Sequence, residues 1–227
     1  RSMIAKCAIQ NENIQVARLL DFYNREVNFY NHIGNTCPLK VPDSYFAAVN
    51  QDSYDCILLL EDLGDVYLKD QLVGASEDEA FHAVANIARM HAKWWDKVSS
   101  RESNWMYDFM SSEESLRLKE LVYVPGLEPT IEKFEPVFDE EMKQVCRKVG
   151  ERYPEFWSER LTPINTFIHG DYRQDNMSYA EDSPDPVVMD WQISGKGKGI
   201  FDIAYFMCQS LNSNLRSEIE KQVLEMY

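Results

Sequence analysis

The stretch from Thr166 to Trp191 constrains this chain more than any other. Three short β-like pieces, Thr166-Phe-Ile-His-Gly-Asp, Asn176-Met-Ser-Tyr and Pro186-Val-Val-Met-Asp-Trp, follow one another through polar turns. His169, Asp171 and Asn176 fit the spacing H-x-D-x-x-x-x-N, and Asp190 ends the Val-Val-Met-Asp run. Any one of these residues alone would be an ordinary polar loop residue. Together, on strand ends and in this order, they bring an amide and two carboxylates toward one place.

The rest of the chain must supply a frame for that segment. Residues 2–9 are mostly apolar around Lys6 and predict a strand, with a turn over Gln10–Asn13. Val16, Leu19, Leu20, Tyr23, Val27, Tyr30 and Ile33 recur at helical spacing and predict one amphipathic helix that Gly34 ends. Pro38 and Pro42 break the chain, Tyr45–Val49 predicts a strand, and Cys56–Leu60 reads as a buried strand entering Glu61-Asp62-Leu63-Gly64, where a first lobe would end. Ser76 and Glu79 form a capping box ahead of a helical face of Ala80, Ala83, Val84, Ile87, Ala88, His91 and Trp95. A second pattern runs from Phe134 to Tyr153, where Pro154 should stop it. Ile200–Leu211 and Leu215–Tyr227 predict two further helices, and no internal repeat is visible.

With 44% hydrophobic and 12% aromatic residues the chain can bury a core. A formal net charge of -15 with no basic stripe argues against nucleic acid as a partner, so any phosphate must be gripped locally. Five cysteines with no C-x-x-C pair predict reduced, mostly buried thiols rather than zinc or a redox pair. No secretory signal and no apolar run of membrane-spanning length is evident, so the expectation is a soluble, cytoplasmic protein with no membrane partner. The chain opens directly into a strand-like run and stops inside a helical pattern, which reads as a fragment cut at both ends.

A carboxylate to orient an acceptor hydroxyl, with oxygen ligands for magnesium on a triphosphate, is what phosphoryl transfer requires. Asp171 and the pair Asn176 and Asp190 supply both. At these residues the chain resembles the aminoglycoside phosphotransferase and choline kinase branch of the kinase-like fold, nearest the ecdysteroid-kinase-like proteins. Asp190-Trp191-Gln192 stands where protein kinases carry D-F-G, and Asp202 opens a later helix in Phe201-Asp-Ile-Ala-Tyr-Phe.

The resemblance implies an α+β, two-lobed protein-kinase-like fold. Residues 1–64 would be a small β-rich N-lobe and 65–227 a mainly helical C-lobe, both truncated, since the Gly-rich hairpin before the lysine strand and the last helices of the family are not represented. It implies Asp171 as the catalytic carboxylate, Asn176 and Asp190 as magnesium ligands, and Asp202 as a brace behind the loop. Lys6 on its strand and Glu26 on the following helix match the lysine and carboxylate that hold the α- and β-phosphates. Glu61, Asp62 and Leu63 would form a hinge that meets adenine through main-chain hydrogen bonds. Arg173 could neutralise the phosphoryl group in flight.

His169 reads as an orienting loop histidine rather than a base. Gly195-Lys-Gly-Lys-Gly199 lacks P-loop spacing and reads as a short activation-segment counterpart with solvated Lys196 and Lys198, and Trp94, Trp95 and Trp105 read as core. The expected function is ATP- and magnesium-dependent phosphorylation of a small-molecule hydroxyl. The competing expectation is a non-catalytic kinase-like nucleotide-binding module. Acceptor identity, ATP against GTP preference and oligomeric state stay open.

Overall fold

Residues 2–8, 14–108, 112–156, 164–180 and 183–227 are described in this computed structural model, so the turn expected at Gln10–Asn13 lies outside the described residues. Strand β1 (Met3–Cys7) carries Lys6 as expected. The single helix expected next is two, α1 (Ile14–Leu19) and α2 (Phe22–His32). Asp21 breaks them with a left-handed φ of 57°. The cause is distant in sequence: the Tyr54 hydroxyl donates to Ala17 O at 3.0 Å and lies 3.3 Å from Asp21 Oδ1, which holds the corner. Both halves stay in phase with the apolar pattern, so periodicity alone could not show the break. Gly34 opens a 3₁₀ turn, Gly34–Thr36, instead of capping the helix.

Strands β2 (Ser44–Val49) and β3 (Cys56–Glu61) complete an antiparallel sheet in the order β1-β3-β2, with Lys6 opposite Leu58. Cys56, Leu58 and Leu60 are buried while Ile57 is exposed, so β3 is half-buried with period two rather than buried on both faces. A short β4 (Tyr67–Leu68) precedes α3 (Glu77–Trp94). The capping box forms as expected, Ser76 N donating to Glu79 Oε2 at 2.7 Å and Glu79 N to Ser76 Oγ at 3.4 Å. Ala80, Ala83, Val84, Ile87 and His91 are buried along one face, whereas Trp95 falls just past the helix and is exposed.

Residues 108–164 form a separate compact unit; residues 1–107 and 165–227 form the other. The smaller unit holds α4 (Ser112–Leu118), a π turn over Lys119–Tyr123, α5 (Val124–Lys133) and α6 (Glu140–Phe156). Pro125 has no amide hydrogen to return to Leu121, which suits the irregular turn before it. The helix expected from Phe134 starts later: Phe134 caps α5, Glu135–Val137 is a 3₁₀ turn, and Asp139 Oδ1 accepts from Met142 N at 2.7 Å to begin α6. That helix runs through position 154 to Phe156, because a proline in a last turn removes only one backbone donor.

In the larger unit the chain continues through β5 (Thr166–Ile168), β6 (Met177–Tyr179), β7 (Val187–Val188), β8 (Gly195–Gly197), α7 (Ile200–Ser210) and α8 (Ser213–Met226). β4, β6 and β7 pair antiparallel, as do β5 and β8. β8 was expected as loop. It can pair because Gly197 is bare where a side chain would collide with Ile168, a packing demand that strand propensity does not register. Lys198, expected in solvent, is buried. The cysteines are free, but only Cys56 is buried; Cys7 and Cys208 are exposed and Cys37 and Cys146 half-buried, so the expectation of mostly buried thiols does not hold.

The core joins α2 to the β5–β8 region through aromatic rings. Phe29 stacks on Trp191 with centroids 3.8 Å apart and planes 4° from parallel, and Phe167 lies 6.4 Å from Trp191. Trp94 and Trp105 pack against this core as expected. Among the described residues no helix is long and apolar enough to cross a membrane. The architecture is α+β and two-lobed, a small antiparallel sheet with one adjoining helix followed by a mainly helical part.

Candidate active site

Three side chains far apart in sequence meet at the open face of the first sheet. Lys6 Nζ lies 2.7 Å from Glu26 Oε2 and donates to Oε1 at 2.9 Å, and it reaches Asp190 Oδ1 at 3.2 Å. Burial alone would push the Lys6 ammonium down; the two carboxylates outweigh it and hold it above its usual value. Burial pushes Glu26 up, opposed by Lys6 and by a hydrogen bond with the Trp191 backbone. α2 delivers Glu26 because Phe29, one turn later, is clamped on Trp191. Asp190 itself adopts φ 62°, ψ 71°, left-handed backbone uncommon outside glycine but tolerated by Asp. Gln192 Nε2 donates to its other oxygen at 3.3 Å.

A second cluster sits on the loop after β5. Asn176 Nδ2 donates to Asp171 O at 2.8 Å and to Asp171 Oδ2 at 2.9 Å, and Arg173 Nε forms an ion pair with Asp171 Oδ1 at 3.1 Å. The β6–β7 ladder relates the two clusters: Met177 pairs with Val188, and Met189 N donates to Asn176 O at 2.9 Å, so Asn176 lies across from the residue before Asp190. Both amide donations go to Asp171, leaving the Asn176 side-chain oxygen as an acceptor. With Asp190 this makes an all-oxygen donor set of one carboxylate and one amide. Such a set fits magnesium carried on phosphates, a hard cation that rarely takes a full protein cage. Among the described residues no cluster of three or more His, Cys, Asp or Glu could hold a metal by itself.

Asp202 holds the loop from behind. Its buried carboxylate accepts from His169 N at 2.7 Å and Gly170 N at 2.9 Å, and His91 Nε2 lies 3.1 Å away. His91 Nδ1 is in turn 2.9 Å from the Tyr227 hydroxyl. His169 is fully buried; its Nε2 is 3.0 Å from Met189 O and its Nδ1 accepts from Asp171 N at 3.2 Å. Burial lowers its pKa, so the neutral ring with both nitrogens engaged orients the loop.

Gly170 has φ 85°, and a Cβ there would run into the Ile193 carbonyl oxygen. Gly170→Ala should therefore cost roughly 2–3 kcal/mol from strained backbone and the clash. Urea unfolding of the two proteins measures it, and a difference under about 0.5 kcal/mol would show that the loop shifts freely.

Lys6, Glu26 and Asp190 line one end of a cleft of about 540 Å³. Its other walls are apolar, with Ile4, Ala5, Leu60, Val66 and Met189, and Glu61, Asp62 and Leu63 form its edge. Size and polarity suit a flat base at one end and charged groups at the other. Asp171, Asn176 and Arg173 do not line this cleft.

Several residues that shape the site carried no signal in the sequence. Gln71 accepts from Arg173 Nη1 at 2.8 Å, while Gln71 N donates to Asp175 Oδ1 at 2.9 Å. Tyr205, half-buried on α7, has its phenol pushed up to about 12, first by burial and then by the nearby Asp171 carboxylate. Motif spacing cannot find these; the Phe-Asp-Ile-Ala-Tyr run offered the one hint, since Tyr205 follows Asp202 at helical spacing.

The fold recurs among solved structures. The gentamicin complex of APH(2")-IIa matches 99% of this chain and 70% of its own at 18% identity and a TM-score of 0.56. The aminoglycoside-3'-phosphotransferase of type VIII matches 99% and 76%, at 18% identity and a TM-score of 0.58. The GDP and kanamycin complex of APH(2")-IIIa matches 91% and 70%, at 13% identity and a TM-score of 0.53. No curated protein matches. The model of the ecdysteroid kinase-like family covers residues 1–227, with the Lys6 strand, the loop spacing of His169 to Asn176 and the strand-ending Asp190 all inside it, and the chain belongs to that family.

Proposed function

We propose that this chain is the nucleotide-binding and catalytic part of a phosphotransferase that moves the γ-phosphoryl group of ATP to a hydroxyl of a small molecule. The observation that carries the reading is the meeting of Lys6, Glu26 and Asp190 at one end of an apolar cleft, next to a loop on which Asn176 and Arg173 hold Asp171. The lobes divide after Gly64, with Glu61, Asp62 and Leu63 offering main-chain groups to the adenine edge. The family and the fold support the same chemistry.

Each residue then has a task. Lys6, held by Glu26, binds the α- and β-phosphates and screens their charge from Asp190. Asn176 and Asp190 would hold magnesium, which when bound neutralises charge on the phosphate oxygens. Asp171 orients the acceptor hydroxyl in line with the γ-phosphorus and takes its proton as the oxygen attacks. Arg173 sits beside that carboxylate, placed to face the transferring group. The aminoglycoside complexes among the structural neighbours make an amino-sugar alcohol one candidate acceptor, and the family name makes a sterol-like alcohol another.

Asp190→Asn tests the metal-dependent half of the reading, because Asn tolerates the left-handed backbone at that position while removing the charge. In calorimetry, binding of ATP to the native protein should tighten when magnesium is added, and the variant should lose most of that gain. Turnover against a panel of hydroxylated metabolites tests the other half. Magnesium-ATP binding with no turnover on any acceptor would replace this reading with a non-catalytic nucleotide-binding module.

A further inference from the structure

Arg173 lies between two carboxylates, and a glutamine from another loop holds it toward one of them. Its Nε is 3.1 Å from Asp171 Oδ1, yet that buried nitrogen is not aligned to donate and, among the described residues, has no hydrogen-bond partner. At the other end of the guanidinium, Nη1 donates to Gln71 Oε1 at 2.8 Å and to Asp175 Oδ2 at 3.3 Å. A terminal guanidinium nitrogen carries two hydrogens, so both on Nη1 are engaged. Gln71 N donates in turn to Asp175 Oδ1 at 2.9 Å, which closes a ring of hydrogen bonds through Gln71, Arg173 and Asp175.

Gln71 stands 102 positions before Arg173, and the end of α7 joins their two loops. The buried Ser210 accepts from Ala75 N at 2.7 Å through its carbonyl oxygen and from Gln174 N at 2.9 Å through its hydroxyl. Gly74 passes Ser210 with φ 80°, and a Cβ there would come within 3.2 Å of the Ser210 carbonyl oxygen. Asp70 folds the turn itself, its carboxylate accepting from Leu72 N at 2.8 Å and its carbonyl from Val73 N at 3.0 Å. None of those bonds uses the Gln71 side chain, so the frame brings its amide oxygen to the guanidinium without depending on it.

A guanidinium beside a carboxylate favours two parallel hydrogen bonds to it. Such a pair on Asp171 would take a lone pair from each oxygen, and Asn176 Nδ2 already takes one on Oδ2 at 2.9 Å. Most of the about four acceptor positions of the carboxylate would then be filled, and the arginine's donors would face the base instead of a phosphoryl group. We propose that Gln71 is a positioning residue that holds the Arg173 guanidinium out of a full hydrogen-bonded pair with Asp171, so that Asp171 keeps lone pairs for the acceptor hydroxyl and Arg173 keeps donors for the transferring phosphoryl group. This role rests on Asp171 as the base and on Arg173 as the cation that faces the phosphoryl group.

The test compares acceptor-stimulated turnover and magnesium-ATP affinity in the native protein, Gln71→Met, Arg173→Met and the double variant. Met keeps the length of Gln and removes the amide oxygen. Turnover at saturating nucleotide should fall about five- to tenfold in Gln71→Met, the effect of one hydrogen bond to a charged group at a part-exposed site. Nucleotide affinity should not change, and Gln71→Met should add nothing once Arg173→Met is present. An unchanged urea midpoint shows that a variant is folded, and Gln71→Ala serves if Met packs differently. A second readout needs no turnover. In nitrogen-15 NMR spectra the Arg173 Nη signals, identified by their loss in Arg173→Met, should be resolved in the native protein and averaged by rotation in Gln71→Met. A fall under about twofold in Gln71→Met, an equal fall on the Arg173→Met background, or Nη signals already averaged in the native protein overturns the proposal. If Arg173→Met leaves turnover intact, or no acceptor is turned over, the reading of the reaction fails and the role of Gln71 with it; resolved Nη signals then separate that failure from a failure of the Gln71 contact.

Discussion

Asp171→Ala is expected to lower acceptor-stimulated turnover by about 10²–10⁴-fold, the range for loss of a positioned general base. Affinity for magnesium ATP should change little, because Asp171 does not line the cleft proposed for the nucleotide, whose charged end is Lys6, Glu26 and Asp190. The split between binding and turnover makes the prediction specific. A structural role for Asp171 would weaken both together, since its backbone and side chain are tied to Asn176 and Arg173. Single-turnover kinetics beside nucleotide calorimetry separates these cases. A variant that retains more than about a tenth of native turnover would remove Asp171 from the base role. Asp171→Asn is the companion: it keeps size and part of the hydrogen bonding, loses the proton-accepting charge, and should be nearly as slow.

The second large effect is on stability. Asp202→Ala should destabilise the protein by roughly 3–5 kcal/mol, because a buried charged acceptor disappears and its donors stay behind. His169 N, Gly170 N and His91 Nε2 all converge on this carboxylate, and Asp202 and His91 are almost wholly buried, so water has little room to replace it. Asp202→Asn keeps one carbonyl oxygen but turns an amino group toward other donors, and should fall between native and Ala. Urea unfolding gives the ordering. A loss under about 1 kcal/mol for Asp202→Ala would mean that the loop satisfies those donors by other means. The same substitution should slow turnover more than it weakens nucleotide binding, since the loop it releases carries Asp171 and not the cleft wall.

Both predictions draw on residues whose spacing is plain in the sequence. His169, Asp171 and Asn176 lie within eight consecutive positions, 169–176, and a short loop between two strands leaves few ways to arrange them. The Lys6 to Glu26 pairing was legible as strand-then-helix order, and the lysine does face that carboxylate. Less legible were features decided by partners far along the chain. The break at Asp21 depends on Tyr54, the β8 strand on the bare backbone of Gly197 beside Ile168, and the burial of Lys198 on packing that its Gly-Lys-Gly setting does not suggest. Helix limits near Phe134 and Pro154 were misplaced because apolar periodicity continues through a 3₁₀ turn and a terminal proline.

By itself the sequence determined the family, the strand-loop-strand frame and the order of the candidate catalytic groups. Those properties follow from local spacing, where chain connectivity keeps residues within a few ångströms of one another. Only the tertiary structure decided that Phe29 locks onto Trp191 and so carries Glu26 to Lys6, that Asp190 adopts a left-handed backbone facing the same lysine, and that Gln71 meets Arg173 from far along the chain. Those meetings cross long stretches of chain, and their geometry comes from close packing of a shared core, where position depends on every neighbour at once.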